Sequence, residues 1–223
     1  MLQVNRQSLP AARRRGRPVG SDSAETRNRI LKAARQVIIE RGYHAATFQA
    51  IAMAADLSRP TLHYYFDSRE EIYRVLVADA SGVMVECIGA AKRKDTLLGQ
   101  LTALVAAMHD ADFRDRSQIA FLVSARLEAT RNPELRAGTG SVLRSYLESV
   151  LVDGKARGEL AADAVVAPIA DMLHAMLWGL GFHAGFVDDE AVMHLITKQL
   201  ERLLSDGLLS DAVEPVQAVP GLL

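Results

Sequence analysis

The twenty residues from Thr47 to Phe66, TFQAIAMAADLSRPTLHYYF, constrain this chain more than any other stretch, because their spacing suits two short helices joined by a tight turn. Ile51, Ala52 and Ala55 recur at helical spacing on one side of the first helix, and Leu57, Leu62 and Phe66 carry the apolar stripe through the second. The opposite face of the second helix holds Arg59, Pro60, Thr61, His63 and Tyr64, side chains that suit phosphates and base edges. A pair of helices with one greasy and one polar face has the dimensions to enter a DNA major groove.

Local chemistry sets the boundaries of these helices. Thr47 is placed to cap the first, where its hydroxyl either satisfies a free backbone N–H or shares in holding a phosphate. Asp56 falls in the turn, at a position that calls for positive φ; Asp is among the few side chains that tolerate that region. Ser58 can cap the second helix, with Pro60 in the first turn where a missing N–H costs little. Upstream, a helix is expected from near Ser23 to about Arg41, with Ile30, Leu31, Ala34, Val37 and Ile38 inward and Gly42 ending it. Downstream, Ser68-Arg69-Glu70-Glu71 reads as a capping box, Ser68 capping and Glu71 reaching back. Ile72, Val75, Leu76, Ala80, Val83, Cys87 and Ile88 then carry a long helix away from this region.

Charge divides the chain. Residues 1–75 carry 13 Lys and Arg against 7 acidic residues, whereas residues 76–223 carry 13 against 20, so a formal net charge of −1 conceals a basic front (+6) and an acidic remainder (−7). Such asymmetry suits a protein that brings one end to a polyanion and keeps the other away. Within residues 1–20, Arg13-Arg14-Arg15-Gly16-Arg17-Pro18 lies in a stretch without apolar period, which reads as a disordered arm. Arg15 and Arg17 either lie in a narrow A·T-rich minor groove or make loose phosphate contacts from a solubilising tail.

The single cysteine, Cys87, rules out a disulfide framework or a cysteine-based zinc site, and its apolar helical neighbours make it a buried thiol. With no secretory signal and no run of about 18 apolar residues, a soluble cytoplasmic, nucleoid-associated protein is expected. From Thr96 onward only helical periods are visible, with helices expected at about 96–109, 117–130, 134–157, 164–183 and 189–204 and a loose tail over 206–223.

The stretch from Thr26 to Leu76 resembles the TetR family of bacterial transcriptional repressors. The likeness rests on Ile30-Leu31, Ala34, Gly42-Tyr43, Thr47, Ile51-Ala52, Ala55, Leu57-Ser58, Thr61 to Phe66 and Arg69 to Ile72. It departs from the family pattern at Asp56, where a glycine is usual, and at His63, where a tyrosine is frequent. The resemblance implies an all-α chain. It comprises a three-helix helix-turn-helix DNA-binding domain over 21–67 and a helical ligand-binding and dimerisation domain over 68–205.

It further implies that Thr47 and Arg69 hold operator phosphates while Ser58, Arg59, Pro60, Thr61, His63 and Tyr64 face the groove, His63 more as a phosphate donor than a base reader. It also implies a homodimer through residues 164–183 and 189–204, built on Leu173, Met176, Leu177, Leu180, Phe182, Met193, Ile196, Leu200, Leu203 and Leu204, against the alternative that these fill the chain's own core. The resemblance implies, last, a small effector that releases the protein from its operator. The acidic half is rich in Leu, Val, Ala and Met with few polar candidates, His109, Arg126, Tyr146 and His174, which suits a lipophilic effector.

Other chemistries find less support. Asp171 and His174 stand three apart on one expected helix, but a carboxylate-bridged metal site needs two Glu-x-x-His segments and two further carboxylates. No phosphate loop, nucleophile elbow or HExxH segment is present, so neither an enzyme nor a cofactor or metal is expected. The competing class is an α-helical lipid or small-molecule carrier whose N-terminal helices are only structural.

Overall fold

The computed structural model describes residues 19–136, 142–187 and 190–205. All secondary structure among them is helical: α1 (Val19–Arg41), α2 (Phe48–Ala54), α3 (Arg59–Tyr65), α4 (Arg69–Ala91), α5 (Leu97–Arg114), α6 (Arg116–Arg131), α7 (Val142–Ala156), α8 (Val166–Phe186) and α9 (Glu190–Leu203), with a 3-10 turn at Pro133–Arg136. The Arg-rich arm with Arg15 and Arg17, and the tail from 206, lie outside the described residues.

Helix boundaries follow the caps where the caps are unambiguous. Thr47, Ser58 and Ser68 each accept a hydrogen bond from the backbone N–H three residues on, at 3.2, 3.2 and 3.1 Å. Glu71 reaches back, as a capping-box residue does, but its carboxylate accepts from the N–H of Asp67 (2.8 Å), one residue ahead of the cap. Asp56 has φ +52°. It closes α2 with paired bonds, Asp56 N–H to the Met53 carbonyl (3.2 Å) and Leu57 N–H to that of Ala52 (2.9 Å), the Schellman arrangement that requires a left-handed residue between them.

Elsewhere the expected boundaries move. Helix α1 starts at Val19, four residues ahead of Ser23, because no proline interrupts the chain between them. Helix α5 runs on to Arg114 and stops only at Asp115, which ends α5 and caps α6 by accepting from the Ser117 N–H (3.1 Å). Where a single helix was expected over 134–157, the described residues show a 3-10 turn at Pro133–Arg136 and α7 from Val142, and residues 137–141 lie outside the described residues.

Two apolar clusters make the core. The first joins α1, α2, α3 and the front of α4 as far as Ala80, with Phe121 and Ala125 of α6 and Leu135 added to it. Ile51, Ala52, Ala55, Leu62 and Phe66 all sit within it, essentially without solvent exposure. A fully buried Leu or Ile contributes about 1.5–3 kcal/mol, so these few residues suffice to fix two seven-residue helices that would not form alone. The second cluster joins the rear of α4 to α5, α7, α8 and α9. Cys87 lies there, 3% exposed, and burial pushes its thiol above its ordinary pKa.

Polar junctions tie α6 to the front of the chain. The buried Arg35 guanidinium on α1 donates to Asp115 Oδ2 (3.0 Å) and Ser117 Oγ (3.1 Å). At the other end of α6, Glu128, 8% exposed, accepts from the Tyr43 N–H (3.4 Å) and from Asn132 Nδ2 (2.9 Å), while Asn132 Oδ1 pairs with His44 Nε2 (3.0 Å). Gly42, at φ +79°, leaves room for that carboxylate: a Cβ there would stand 3.1 Å from Glu128 Oε1.

The residues expected to form a seam on the last two helices divide, with Phe182 and Leu203 facing outward and most of the leucines facing the chain's own core. Leu173, Leu177, Leu180, Leu200 and Leu204 are buried in the second cluster of the chain itself. The apolar side chains left outward on α8 and α9 are Met172, Phe182, Phe186, Leu195 and Leu203, between 40 and 59% exposed. Met193 has no described side chain. A helix with apolar residues all round gives no sequence cue to which stripe faces home, and α8 is such a helix.

Candidate nucleic-acid interface

Helix α3 presents one face to solvent because its other face is spent. Leu62 is wholly buried and Phe66, the residue after the helix, is 1% exposed, which leaves Arg59, Pro60, His63 and Tyr64 in solvent, Tyr64 at 82%. An aromatic that exposed on a rigid seven-residue helix, capped at Ser58 and pinned by Leu62, is ready to contact something outside the molecule. Ser58 Oγ and Thr61 Oγ1 lie 2.7 Å apart and bond to each other, so this pair keeps one hydroxyl proton for an external acceptor. Thr47 acts only as an acceptor in its cap, which leaves its own O–H free to donate.

His63 does not hang loose on α3. Its ring lies against Phe48, the first residue of α2, with centroids 4.5 Å apart and planes tilted by 31°. Tyr64 meets Tyr65 edge to face, with centroids 5.2 Å apart. Arg59 and His63, four apart on the helix, share one stripe, and Pro60 and Tyr64 share the next.

Arg69 is placed beside this face but is already engaged. Its guanidinium stacks 4.2 Å over the Tyr43 ring and pairs with Glu70 (3.1 Å), which also accepts from the Tyr43 hydroxyl (3.1 Å). The Glu70 carboxyl is held below its ordinary pKa by its own backbone N–H, with Arg69 and Tyr43 adding to that effect. Burial raises the Tyr43 phenol, against the Arg69 charge. A phosphate at Arg69 would therefore share the arginine with Glu70. A second arginine, Arg27 on α1, lies 4.8 Å over the Phe66 ring, at the junction of α3 and α4. Sequence reasoning passed over both Arg27 and Phe48, because each acts through a ring contributed by another helix and no local pattern signals that.

The four polar residues proposed for an effector do not converge. Arg126 lies 5.3 Å over Trp178, whose indole N–H donates to His174 Nε2 (2.8 Å), so those two share one cluster between α6 and α8. Burial lowers the His174 pKa, and Arg126 and Arg144 push the same way, which favours the neutral ring that accepts this bond. Asp171, the other half of the sequence pair, is bound to Arg144 at 2.7 Å. Tyr146 stands apart, donating to Gln100 Oε1 (3.0 Å), and burial pushes its phenol up to about 12. His109 lies near His194 of α9, with ring centroids 6.3 Å apart.

Within the second cluster a gap of about 10 Å³, lined by residues such as Leu104, Leu147, Leu173 and Leu177, is too small for more than a water. A larger apolar groove of about 540 Å³ runs between α8 and α9, past Gly179, His183, Leu195 and Leu203. None of the four polar candidates lines either space. Among the described residues no helix is long and apolar enough to cross a membrane.

Comparison with known proteins bears on this geometry. Residues 30–76, which hold α2, α3 and the front of α4, match the model of the bacterial regulatory proteins of the tetR family. The HTH-type transcriptional regulator UidR of Escherichia coli is 24% identical over 164 residues, covering 72% of this chain and 82% of the relative. The HTH-type transcriptional repressor BepR of Brucella suis is 29% identical over 170 residues, covering 71% and 80%. Among solved structures, the transcriptional regulator FadR of Bacillus subtilis in complex with stearoyl-CoA superposes with a TM-score of 0.65 at 21% identity, over 81% of this chain and 98% of that one.

Proposed function

The chain belongs to the tetR family of bacterial regulatory proteins, and from that premise we propose that it is a repressor which reads its operator with α3 and is released by a small lipophilic effector. The observation that carries this reading is Tyr64, 82% exposed on a helix whose inner face is fully buried. Arg59, Thr61 and His63 share that exposed side with it, and Thr47 and Arg69 flank it as phosphate donors. Stearoyl-CoA in the FadR structure supports an apolar effector. The closed leucine-rich core fits that chemistry on condition that α5, α7 and α8 part to admit a chain. Arg126 and His174 remain the polar pair best placed to meet its head, since Trp178 already joins them.

Reading two successive major grooves needs two copies of α3 about 34–36 Å apart. A dimer through α8 and α9 would supply them, and it would cover Met172, Phe182, Phe186, Leu195 and Leu203, which are otherwise apolar surface in water. Such a protein works in the cytoplasm, on the nucleoid.

Fluorescence anisotropy with the DNA upstream of the chain's own gene, at two salt concentrations, tests the reading. Wild type is expected to bind specifically and more weakly as salt rises. Tyr64→Ala should bind about 10- to 100-fold more weakly, the loss of one good base-edge contact, with helix content and dimerisation intact. Sequence-independent binding, or none at low salt, would favour the carrier reading instead.

A further inference from the structure

The contact between Phe48 and His63 joins the two helices of the turn motif on its solvent side, where packing is not needed to bury a core. Phe48 is half-buried: it packs against the first apolar cluster and carries the exposed His63 ring on its remaining side. An aromatic pair at this separation is worth about 0.5–1.5 kcal/mol beyond area burial, enough to select one rotamer of an otherwise free side chain. A ring stacked in this way keeps its nitrogens in its own plane, unobstructed by the partner. Neither nitrogen of His63 has a hydrogen bond to a described residue, whereas His44 is spent on Asn132 and His174 on Trp178.

The stack is also anchored at a fixed point. Phe48 is the first residue of α2, immediately after the Thr47 cap, so its Cα is set by that cap. The ring therefore acts as a rigid shelf at the N-terminus of α2, on which the fifth residue of α3 rests. Arg59, one turn ahead of His63, lies on the same stripe, so the shelf fixes the imidazole next to a second exposed cationic position.

We propose that Phe48 is a positioning residue for operator recognition, which holds the His63 imidazole ready to donate to the DNA without itself contacting it. The proposal rests on the reading of α3 as the DNA-reading helix. Ordering a free side chain on binding costs about twofold to tenfold in affinity, and Phe48 removes that cost in advance. The pair also makes His63 a determinant of which operator this chain prefers, since a fixed imidazole meets one phosphate or base edge and a mobile one meets several.

A double-mutant cycle tests this, using duplexes that wild type selects from a random-sequence pool and anisotropy as the readout. His63→Ala and Phe48→Ala are each expected to weaken binding, Phe48→Ala by about three- to tenfold. In a His63→Ala background, Phe48→Ala should add nothing. Phe48→Tyr, which keeps the ring, should bind as wild type does, and Phe48→Leu, which keeps the apolar packing without the flat face, should behave as Phe48→Ala. Equal losses from Phe48→Ala with and without His63 would overturn the proposal, because Phe48 would then act on helix packing alone. Wild-type binding from Phe48→Leu would overturn it too, and that variant covers the case in which Phe48→Ala does not fold. If wild type selects no sequence, the DNA-reading assignment fails; if it selects one and the cycle is additive, only the positioning role fails.

Discussion

Replacing Glu128 with glutamine changes one atom and removes one acceptor at the junction between α6 and the turn after α1. The carboxylate serves two donors, the Tyr43 N–H at 3.4 Å and Asn132 Nδ2 at 2.9 Å, in a site that is 8% exposed. A glutamine amide has a single oxygen, so in either orientation its NH2 faces one of those donors. Asn132 can turn over to offer its oxygen only if the His44 ring also moves its proton, so that Nε2 accepts where it now donates. One buried donor is left unsatisfied, which costs about 1–3 kcal/mol.

For a chain of this size that corresponds to a fall in Tm of about 2–12 °C in thermal unfolding followed by circular dichroism. The shape of the side chain is unchanged, so no cavity term enters. Gly42 shares the site, since a Cβ there would stand 3.1 Å from Glu128 Oε1, so the turn ahead of α2 should loosen with the bond. A Tm within 1 °C of wild type, measured reversibly, would refute the reasoning and show that the junction is wet or that Asn132 rearranges freely.

Two other expectations follow from the packing. Gly185→Ala should cost about 1–3 kcal/mol in urea unfolding, because its Cβ would stand 2.8 Å from the Ala120 Cα, a backbone atom of α6 that cannot yield without moving the α6–α8 crossing. Tyr73 and Tyr146, each pushed up to about 12 chiefly by burial and Tyr73 also by the Glu128 charge, should keep their protons through pH 10 in a spectrophotometric titration of the folded protein. Since the folded chain keeps these two protons longer than the unfolded one, their contribution to stability should be level below pH about 10 and fall between about 10 and 12. Five phenols titrating together near 10 in the folded protein would contradict their burial.

The junction residues also suggest how the two clusters communicate. Helix α4 runs through both, and α6 is tied to α1 at Arg35 and to the following turn at Glu128. A ligand that shifts α6 or α4 acts on the elements that carry α2 and α3, with no flexible linker to absorb the motion. The coupling is reciprocal, so operator binding must weaken whatever ligand weakens it.

What the sequence alone determined is what a few neighbouring residues decide between themselves. Thr47, Ser58 and Ser68 cap the helices that follow them, Asp56 takes the left-handed turn, and Ile51, Ala52, Ala55, Leu62 and Phe66 turn inward. Each of these depends on contacts within a turn or two of chain, where spacing is geometry. The tertiary structure decided the rest, because the partners are far apart in sequence. Phe48 meets His63, Arg27 meets Phe66, and Glu128 meets Tyr43 across 85 residues.

The same reason explains the seam on α8. A helix that is apolar all round does not reveal which stripe the rest of the chain will cover, and only the packing of α5, α6 and α7 against it put Leu173, Leu177 and Leu180 inside and left Met172, Phe182 and Phe186 in water. Among the effector candidates, Trp178 holds His174 one turn away on its own helix, a pairing that spacing could have shown, whereas Arg126 reaches the same ring from α6 and Tyr146 and His109 go to other walls, which only the helix crossings decide.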